Sequence, residues 1–442
     1  MRWALLCPCA GLFLGLLFAQ AKPEPLPRCG LKDPGLASFD KLLDSFLKEH
    51  KIPGASLAVA KGNQLVYAVG YGYAELPSSA NQFQGVGMRP NTLLRIASIS
   101  KPITAAAILK LVEAKKISLD DKVTSILGFD PLREGNAPLD ERWKTITLRQ
   151  LLEHTGGFDR DKSFDPMFRS IDIASASKKA PPATPPRIIR FMMGKQLDFT
   201  PGERYAYSNF GYCLLGRVIE KVTGMSYDAF VKEQILAPLG IADMRIGGSQ
   251  LGQRAPHEAL YYPPGMKKSK SVFPPHEEAL VPYGAWYQES LDAHGGWIAT
   301  APDLVRFATA MNAGAKPRVL KKESVEQMFA PPLGKREAGP DGKPNPVYYA
   351  LGWNVRQVAG HDKINTWHTG LLQGTSTLLV RRHDGMTWAI LFNGSFEMGP
   401  GKKQPASLID PLLHQAANAV ATWADRDLFP PFLTNPNTGS VP

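Results

Sequence analysis

The chain has 442 residues, of which 44% are hydrophobic and 21% charged, and this is the composition of an ordinary globular protein. Its formal net charge is +11, but the basic residues are scattered and do not interleave with aromatic residues as in a nucleic-acid-binding module, so no nucleic-acid partner is expected. The length suits one large enzyme domain with an inserted lobe, and no fixed-period repeat is present.

The first residues, MRWALLCPCAGLFLGLLFAQA, have the three regions of a secretory signal. Arg2 precedes an apolar run from about residue 4 to 18, and the run is shorter than the roughly 20 residues that a spanning helix needs. We expect a signal peptide over residues 1–21, cleaved after Ala21, and a secreted or periplasmic protein. The alternative is an uncleaved signal that serves as a membrane anchor, which is the only membrane association expected.

Cleavage after Ala21 would leave two cysteines in the mature chain, Cys29 and Cys213. They could pair in an oxidising compartment. However, Cys213 falls in the helical pattern FGYCLLGRVIEKVTG, which favours a buried free thiol. The pairing of these two residues is left open.

A Pro-rich leader over residues 22–35 precedes a helical pattern, LASFDKLLDSFLKEH, and then two β-rich runs joined by KGNQ, which predict a hairpin. A second hairpin is predicted in GTSTLLVRRHDGMTWAILFNGS, with RHDG as its turn. Both hairpins are apolar enough to lie centrally in one antiparallel sheet. The middle of the chain then forms an inserted helical lobe, roughly residues 115–300, within a domain over 36–428. The tail over 429–442 is predicted to be disordered.

Ser98 and Lys101 stand three residues apart in LLRIASISKPITAAAILKLVEAKK, at the start of a strong helix pattern. Pro102 is tolerated only in the first turn, so the helix begins close to Ser98 and places the serine at the positive end of the helix dipole. Lys101 then lies on the same face, as a nucleophile with an adjacent amine requires. The same spacing recurs at Ser45/Lys48, within the leading helix, and at Ser175/Lys178, beside a Pro-rich loop, but neither has this setting.

Tyr207-Ser208-Asn209 lies in a loop just before another helical pattern. A phenol is a poor base near its usual pKa of about 10, but a nearby cation such as Lys101 is expected to lower that pKa. Asn209 can bond both the lysine and a substrate amide. The alternative interpretation of these residues is a helix cap.

His368-Thr369-Gly370 occurs where a strand of the central sheet is expected to begin. Gly370 would let a substrate approach the strand backbone, and the amide of Leu371 could join that of Ser98 in holding an oxyanion. A second His-Thr-Gly begins at His154, but it follows a helical run. There Gly156 is interpreted as a helix stop and His154 as structural.

Taken together, Ser98-x-x-Lys101, Tyr207-x-Asn209 and His368-Thr369-Gly370 resemble the three-motif pattern of serine β-lactamases and penicillin-recognising enzymes. The resemblance is greatest to the group of class C β-lactamases, DD-peptidases, D-aminopeptidases and esterases, and covers about residues 39–393. It implies an α+β fold in which a central antiparallel sheet is flanked by helices and carries an inserted all-helical lobe. The site would lie in the groove between sheet and lobe.

The resemblance also implies roles for the residues of the three motifs. Ser98 would attack a carbonyl to form an acyl-enzyme, and Lys101 would take its proton or support its loss. Tyr207 would relay a proton to the leaving group and later activate water. Asn209 would orient Lys101 and the substrate, while His368 and Thr369 would line the opposite wall. Which of Lys101 and Tyr207 is the general base stays open.

The third motif departs from that of class C β-lactamases, which carry lysine where this chain has His368. A histidine is mostly neutral at pH 7, so recognition of a β-lactam carboxylate should be weaker. We expect a serine hydrolase that acts on a small-molecule ester, peptide or β-lactam, with no cofactor and no metal. The alternatives are a true β-lactamase or DD-peptidase and, in another class, a penicillin-binding sensor or structural protein without turnover.

Overall fold

The structure is a computed structural model that describes residues 26–31, 33–133, 135, 138–312, 314–316, 318–333, 344–360, 363–399 and 401–430. The predicted signal peptide over 1–21 lies outside the described residues, as does the predicted tail beyond residue 430. The domain boundaries drawn from the sequence stay predictions. No described helix has both the length and the apolar character needed to cross a membrane.

The strands of the described chain are β1 (Arg28–Gly30), β2 (Gly54–Lys61), β3 (Gln64–Glu75), β4 (Val86–Gly87), β5 (Leu94–Arg95), β6 (Arg245–Ile246), β7 (Lys268–Lys270), β8 (Glu278–Leu280), β9 (Trp297–Ala299), β10 (Val347–Tyr349), β11 (Asn354–Gln357), β12 (Ile364–Leu372), β13 (Thr375–Arg381) and β14 (Met386–Phe392). The α-helices are α1 (Ala37–His50), α2 (Ser100–Glu113), α3 (Val123–Leu127), α4 (Leu148–Leu152), α5 (Ser170–Ala176), α6 (Pro185–Met193), α7 (Asn209–Thr223), α8 (Tyr227–Val231), α9 (Ala301–Thr309), α10 (Lys322–Phe329) and α11 (Pro405–Asn418).

Strands from the two ends of the chain form one large antiparallel sheet, with the order β1-β3-β2-β14-β13-β12-β11-β10 and β4 beside β3. The N-terminal hairpin β2–β3 meets the C-terminal hairpin β13–β14 through the pairing of β2 with β14, in which Ala58 lies opposite Ala389. The predicted fold class and the joining of both hairpins in one sheet are therefore confirmed. Strand β1 lies in the predicted leader and pairs with β3.

Side chains alternate between the two faces of this sheet, as the twofold period of a strand requires. Leu57 and Ile390 on one face join a buried cluster with α1 and α11, whereas Ala58 and Leu391 on the other face join the larger core around α2 and α9. The small alanines on the second face let α9 pack closely against β2 and β14. Since both faces are covered, the hairpins are apolar throughout, as the sequence indicated.

The middle of the chain is mostly helical and packs against α2 within the larger core, but it is not purely helical. Helices α3 to α8 fall within residues 115–300, together with the short strands β6 to β9. Of these, β9 pairs with β5 and β6, and this small sheet links the lobe to the segment just before Ser98. These strands are only two or three residues long, too short for an alternating pattern to show in the sequence.

Cys29 lies on β1 and Cys213 is buried in α7, and both are free thiols. Burial raises the pKa of Cys213 to about 12, which makes this thiol unreactive at physiological pH.

Candidate active site

Ser98 lies in a short 3-10 turn, Ala97–Ile99, directly before α2. The preceding residue, Ala97, has a φ of 46°, a left-handed conformation that costs an L-residue about 1 kcal/mol or more. Two hydrogen bonds hold this strained turn: Ser100 Oγ donates to the Ala97 carbonyl over 2.7 Å, and Thr377 Oγ1 donates to the Ile96 carbonyl over 3.0 Å. Ser98 is therefore presented by a strained backbone at the start of a helix, as at many functional sites.

Lys101 is completely buried, and its Nζ lies 3.1 Å from Ser98 Oγ. The same nitrogen donates to Asn209 Oδ1 over 2.8 Å and to the His294 carbonyl over 3.0 Å. Burial, reinforced by the positive charge of Arg160, holds the pKa of Lys101 well below its ordinary value, although Asp165 opposes this shift. The amine is thus shifted towards its neutral form, which can accept a proton.

The contacts of Lys101 fit those of a neutral amine, which has two N–H groups and one lone pair. Asn209 Oδ1 and the His294 carbonyl accept two N–H groups of Lys101, and Ser98 Oγ is the third oxygen in contact with Nζ. In the neutral amine, two N–H groups still satisfy the first two oxygens, and the lone pair can then face Ser98 Oγ. Ser98 Oγ in turn accepts a hydrogen bond from the Tyr207 hydroxyl over 2.7 Å, so the serine proton is free to point at the lysine.

Tyr207 belongs to the lobe and lies in the loop just before α7. From there its hydroxyl contacts Ser98 Oγ. Ser208 is the N-cap of α7 and accepts a hydrogen bond from the amide of Gly211 over 3.2 Å, so the capping interpretation holds for this serine. The expected lowering of the Tyr207 pKa is wrong. Burial outweighs the charge of Arg160 and raises the pKa of Tyr207 to about 12, so the phenol stays protonated.

Asp165 is part of the site, although the sequence analysis did not single it out. Its Oδ2 accepts a hydrogen bond from Asn209 Nδ2 over 2.6 Å, and its Oδ1 accepts one from the Met167 amide over 3.1 Å. Asp165, Asn209, Lys101 and Ser98 thus form one hydrogen-bonded chain that crosses from the lobe to the sheet side of the site.

Strand β12 carries the third predicted motif. His368 is buried, and its Nδ1 lies 2.7 Å from the Thr369 carbonyl while Nε2 lies 3.0 Å from the Tyr349 hydroxyl. The tautomer that satisfies both contacts is neutral and carries its proton on Nδ1. Burial, with the nearby charge of Lys101, lowers the pKa of His368 to about 3, so this motif supplies no positive charge at neutral pH.

The other residues of this motif differ in their surroundings. Thr369 is exposed, whereas Gly370 packs against the turn that carries Ser98. A Cβ at Gly370 would lie 2.2 Å from the Ile96 carbonyl oxygen, so only glycine fits here. The space at Gly370 that was predicted to admit a substrate is instead occupied by the chain's own Ile96 carbonyl and Thr377 side chain. Leu371 follows and lines the same cavity as Ser98.

His154, the first residue of the second His-Thr-Gly, lies beneath the site. Its ring centroid is 4.4 Å from that of Tyr207, and its Nδ1 accepts a hydrogen bond from the Ser208 amide over 3.2 Å. The assignment of Gly156 as the helix stop is wrong, because His154 itself adopts the left-handed conformation, with a φ of 59°. His154 supports the loop that carries Tyr207.

A cavity of about 360 Å³ opens at Ser98, between the sheet and the lobe. Its walls are mainly apolar, and among the described residues of the lining Arg160 alone has a permanently charged side chain. The lining residues are Ala97, Ser98, Arg160, Phe168, Asn209, Val281, Ala285, Trp286, Leu291, His294, Gly295, Leu371, Leu372, Gln373 and Met398.

The other two Ser-x-x-Lys pairs lie on the surface. Ser45 and Lys48 are exposed on α1, and Ser175 and Lys178 are exposed at the end of α5. Within the described ranges, no group of three or more His, Cys, Asp or Glu side chains is arranged to hold a metal ion.

The family model described as Beta-lactamase matches residues 39–410 of the chain. The chain belongs to the beta-lactamase family. The resemblance drawn from the three motifs is confirmed, and the chain is a serine hydrolase of this family.

Two named bacterial proteins are similar to this chain in sequence. Penicillin-binding protein 4* of Bacillus subtilis (strain 168) is 29% identical over 348 residues, 78% of this chain and 68% of that protein. Protein flp of Staphylococcus aureus (strain N315) is 26% identical over 346 residues, 77% of this chain and 59% of that protein. The chain thus spans only part of the length of these relatives.

Among solved structures, the D-stereospecific amidohydrolase from Streptomyces sp. is 26% identical with a TM-score of 0.59. The match covers 82% of this chain and 95% of that chain, so the likeness extends over nearly the whole of the smaller enzyme.

Proposed function

We propose that this chain cleaves an ester or a peptide-like amide through an acyl-enzyme on Ser98. The observation that carries the proposal is the pair of contacts at Ser98 Oγ, with Lys101 Nζ at 3.1 Å and the Tyr207 hydroxyl at 2.7 Å. A serine that touches both an amine of lowered pKa and a protonated phenol has an acceptor for its own proton and a donor for the leaving group.

In the proposed reaction, Ser98 Oγ forms a bond to the substrate carbonyl carbon while its proton moves to the neutral amine of Lys101. The oxyanion is held by the backbone amides of Ser98 and Leu371. The bond to the leaving group then breaks as Tyr207 donates its proton to the departing atom, and the ammonium of Lys101 restores the proton of Tyr207. A water molecule then attacks the acyl carbon while Lys101 takes its proton through Tyr207. The bond to Ser98 Oγ breaks, and the serine recovers its proton from the ammonium of Lys101.

The lowered pKa of Lys101 and the raised pKa of Tyr207 favour the lysine as general base. A phenol whose pKa is about 12 is a proton donor at neutral pH, whereas the buried amine can take a proton. Asn209, bonded to both Lys101 and Asp165, orients the amine in this proposal. Because His368 is neutral, its proposed role is to hold Tyr349 and strand β12 in place rather than to supply a charge.

The test is time-resolved intact mass spectrometry of the protein with phenyl phenylacetate, a D-alanine anilide and a cephalosporin, with product release followed in parallel. A transient adduct on the peptide that contains Ser98, together with turnover of the ester or the anilide, is the expected result. Cephalosporin turnover would instead favour a β-lactamase. A long-lived cephalosporin adduct without turnover of any substrate would contradict the proposal and support a penicillin-binding sensor.

We also propose that the protein is exported and loses residues 1–21. The proposal rests on the signal pattern of the sequence, and the first described strand, β1, begins at Arg28, beyond the proposed cleavage point. N-terminal sequencing of the protein recovered from the medium or periplasm should begin at Lys22. Recovery of a chain that retains Arg2 would contradict cleavage.

A further inference from the structure

Lys101 becomes positively charged during the proposed reaction, and the hydrogen-bond partners of its nitrogen are all uncharged. They are Ser98 Oγ, Asn209 Oδ1 and the His294 carbonyl. The carboxylate of Asp165 is one residue removed, because it accepts a hydrogen bond from Asn209 Nδ2 over 2.6 Å. An ammonium that forms in this buried position therefore needs a further source of stabilisation.

Two aromatic rings provide a partner for this charge. Lys101 Nζ lies 4.7 Å from the centroid of the Tyr207 ring and 5.6 Å from that of the Tyr212 ring, and both distances are within the range of a cation–π contact. The Tyr207 ring is shared, because the guanidinium of Arg160 lies 4.4 Å from its centroid. Within the described part of the chain, Lys101 is the one cation that lies over the Tyr212 ring.

The fold holds the Tyr212 ring in this position. Tyr212 follows Asn209 by three residues in the first turn of α7, so the two side chains share the helix face that meets Lys101. The residue is completely buried, its hydroxyl donates to the Leu152 carbonyl over 2.8 Å, and the His154 ring packs against it at a centroid distance of 5.2 Å. Since its hydroxyl is engaged at α4, Tyr212 offers Lys101 the face of its ring.

We infer that Tyr212 is a positioning residue for the ammonium of Lys101, whose charge it stabilises through the π face of its ring when the lysine takes the proton of Ser98. The inference rests on the proposed acyl-enzyme function and adds to it a residue outside the three motifs. No bond forms or breaks at Tyr212. The proton passes from Ser98 Oγ to Lys101 Nζ, and the ring stabilises the resulting charge.

Other charged and titratable groups surround Lys101, and the test must leave them unchanged. They are Arg160 and Asp165 in the loop before α5, His154 after α4, Tyr207 before α7, His294 before β9 and His368 on β12. Arg160 disfavours the ammonium and Asp165 favours it, whereas burial holds the pKa of each of the three histidines below its ordinary value. A change confined to the π electrons of the Tyr212 ring leaves all of these groups in place.

The test replaces Tyr212 with phenylalanine and with phenylalanines that carry one, two or three ring fluorines. Fluorine withdraws negative charge from the face of the ring and changes its shape little, so each added fluorine weakens a cation–π contact. Tyr212→Phe should keep most of the wild-type kcat/KM for phenyl phenylacetate, because the ring is retained. The trifluorinated ring should lower kcat/KM by about threefold to thirtyfold relative to Tyr212→Phe, with intermediate values for one and two fluorines.

The acid limb of the kcat/KM profile is a second readout, which a packing defect would not move. Weaker stabilisation of the ammonium lowers the pKa of Lys101, so the neutral amine persists to lower pH and the limb should move to lower pH as fluorines are added. The matched control is the same fluorine series at Phe210, a buried ring of the same helix that packs on Phe158 with centroids 4.9 Å apart, and it should leave the limb in place. A rate and a limb that are independent of fluorination at residue 212 would overturn the inference.

A direct titration separates this inference from the proposed function. The pKa of Lys101 is measured by nuclear magnetic resonance in protein whose lysines are isotope-labelled at Cε, with Lys101→Met identifying the signal. A pKa that falls as fluorines are added at residue 212 supports the role of Tyr212 even if no ester is hydrolysed, in which case the proposed function fails. Hydrolysis by a protein whose Lys101 pKa does not depend on this ring keeps the function and rejects the role of Tyr212.

Discussion

Two serine–lysine pairs with identical spacing, Ser98/Lys101 and Ser45/Lys48, differ in almost every other respect. Ser45 and Lys48 lie mid-helix on α1 and are exposed. Ser98 lies in the turn before α2, and Lys101 is completely buried with its nitrogen 3.1 Å from the serine oxygen. A solvated lysine keeps its proton at neutral pH, whereas a buried lysine loses the hydration that stabilises its charge. Spacing brings two groups together, but burial changes their chemistry.

The largest difference between the two pairs is expected when each serine is replaced in turn. Ser98→Ala should abolish the acyl-enzyme adduct, because it removes the oxygen that contacts both Lys101 and Tyr207. Ser45→Ala should leave adduct formation and turnover unchanged, since its side chain is on the opposite face of the sheet from the site. The measurement is intact mass spectrometry of each variant after incubation with phenyl phenylacetate, which detects the mass added by the acyl group. An adduct on Ser98→Ala would reject the assignment of the nucleophile.

The lysines allow a second comparison, with a smaller but still large effect. Lys101→Arg keeps a positive charge that cannot be given up, because the guanidinium stays protonated in proteins. We expect kcat/KM to fall by about 10²- to 10⁴-fold, the usual contribution of a general base. Lys48→Arg is the matched control and should have no effect. Lys101→Met, which is smaller, checks that the loss is not a packing defect, and circular dichroism verifies folding. Near-normal activity of Lys101→Arg would contradict its role as base.

Asp165→Asn tests whether the surroundings of Lys101 set its pKa, because it changes a nearby charge and leaves the lysine itself unchanged. The negative charge of Asp165 raises the pKa of Lys101 against the effects of burial and of Arg160, so removing that charge should lower the pKa further. The neutral amine then persists to lower pH, and the acid limb of the kcat/KM profile should move to lower pH. The shift is measured between pH 4 and 10, with Asp172→Asn, an exposed carboxylate of the lobe, as control. A limb that moves upwards or stays fixed would contradict this electrostatic coupling.

The smallest effect is on stability and concerns Ser45. Because this serine is exposed within α1, Ser45→Ala should raise the free energy of unfolding by about 0.3–0.5 kcal/mol through helix propensity alone. Urea unfolding of the wild-type protein, Ser45→Ala and Ser45→Gly should order their stabilities as Ala above Ser above Gly. A different order would mean that Ser45 has contacts beyond the helix surface.

Much of this arrangement could be predicted from the sequence because local patterns determine it. The β-rich, apolar runs with their turn residues located β2, β3, β13 and β14. The first-turn position of Pro102 located the start of α2. The joining of the two hairpins in one sheet followed from their apolar character on both faces. These features depend on residues that are close together in the chain or share one period.

The remaining parts of the site depend on contacts that no local pattern records. Asp165 lies between helices and meets Asn209 44 residues later in the chain, so nothing near it in the sequence marks its role. The pKa of Tyr207 moves upwards rather than downwards because burial, a property of the folded structure, outweighs the neighbouring charge. His154 could have been noticed through its His-Thr-Gly, but its place beneath Tyr207 arises only from the packing of α4 on α7.

The close approach of Gly370 to the Ile96 carbonyl has a consequence for protein synthesis. A ribosome that has reached Asn209 has already made Ser98, Lys101 and Tyr207, but the backbone that holds the Ser98 turn in place is not yet present. Strand β12 must first be translated and anchored by β13 and β14, and β14 in turn pairs with β2 from the beginning of the chain. The turn that carries the nucleophile is therefore supported by strands that are made long after Ser98, and a chain that ends before β12 would lack this support.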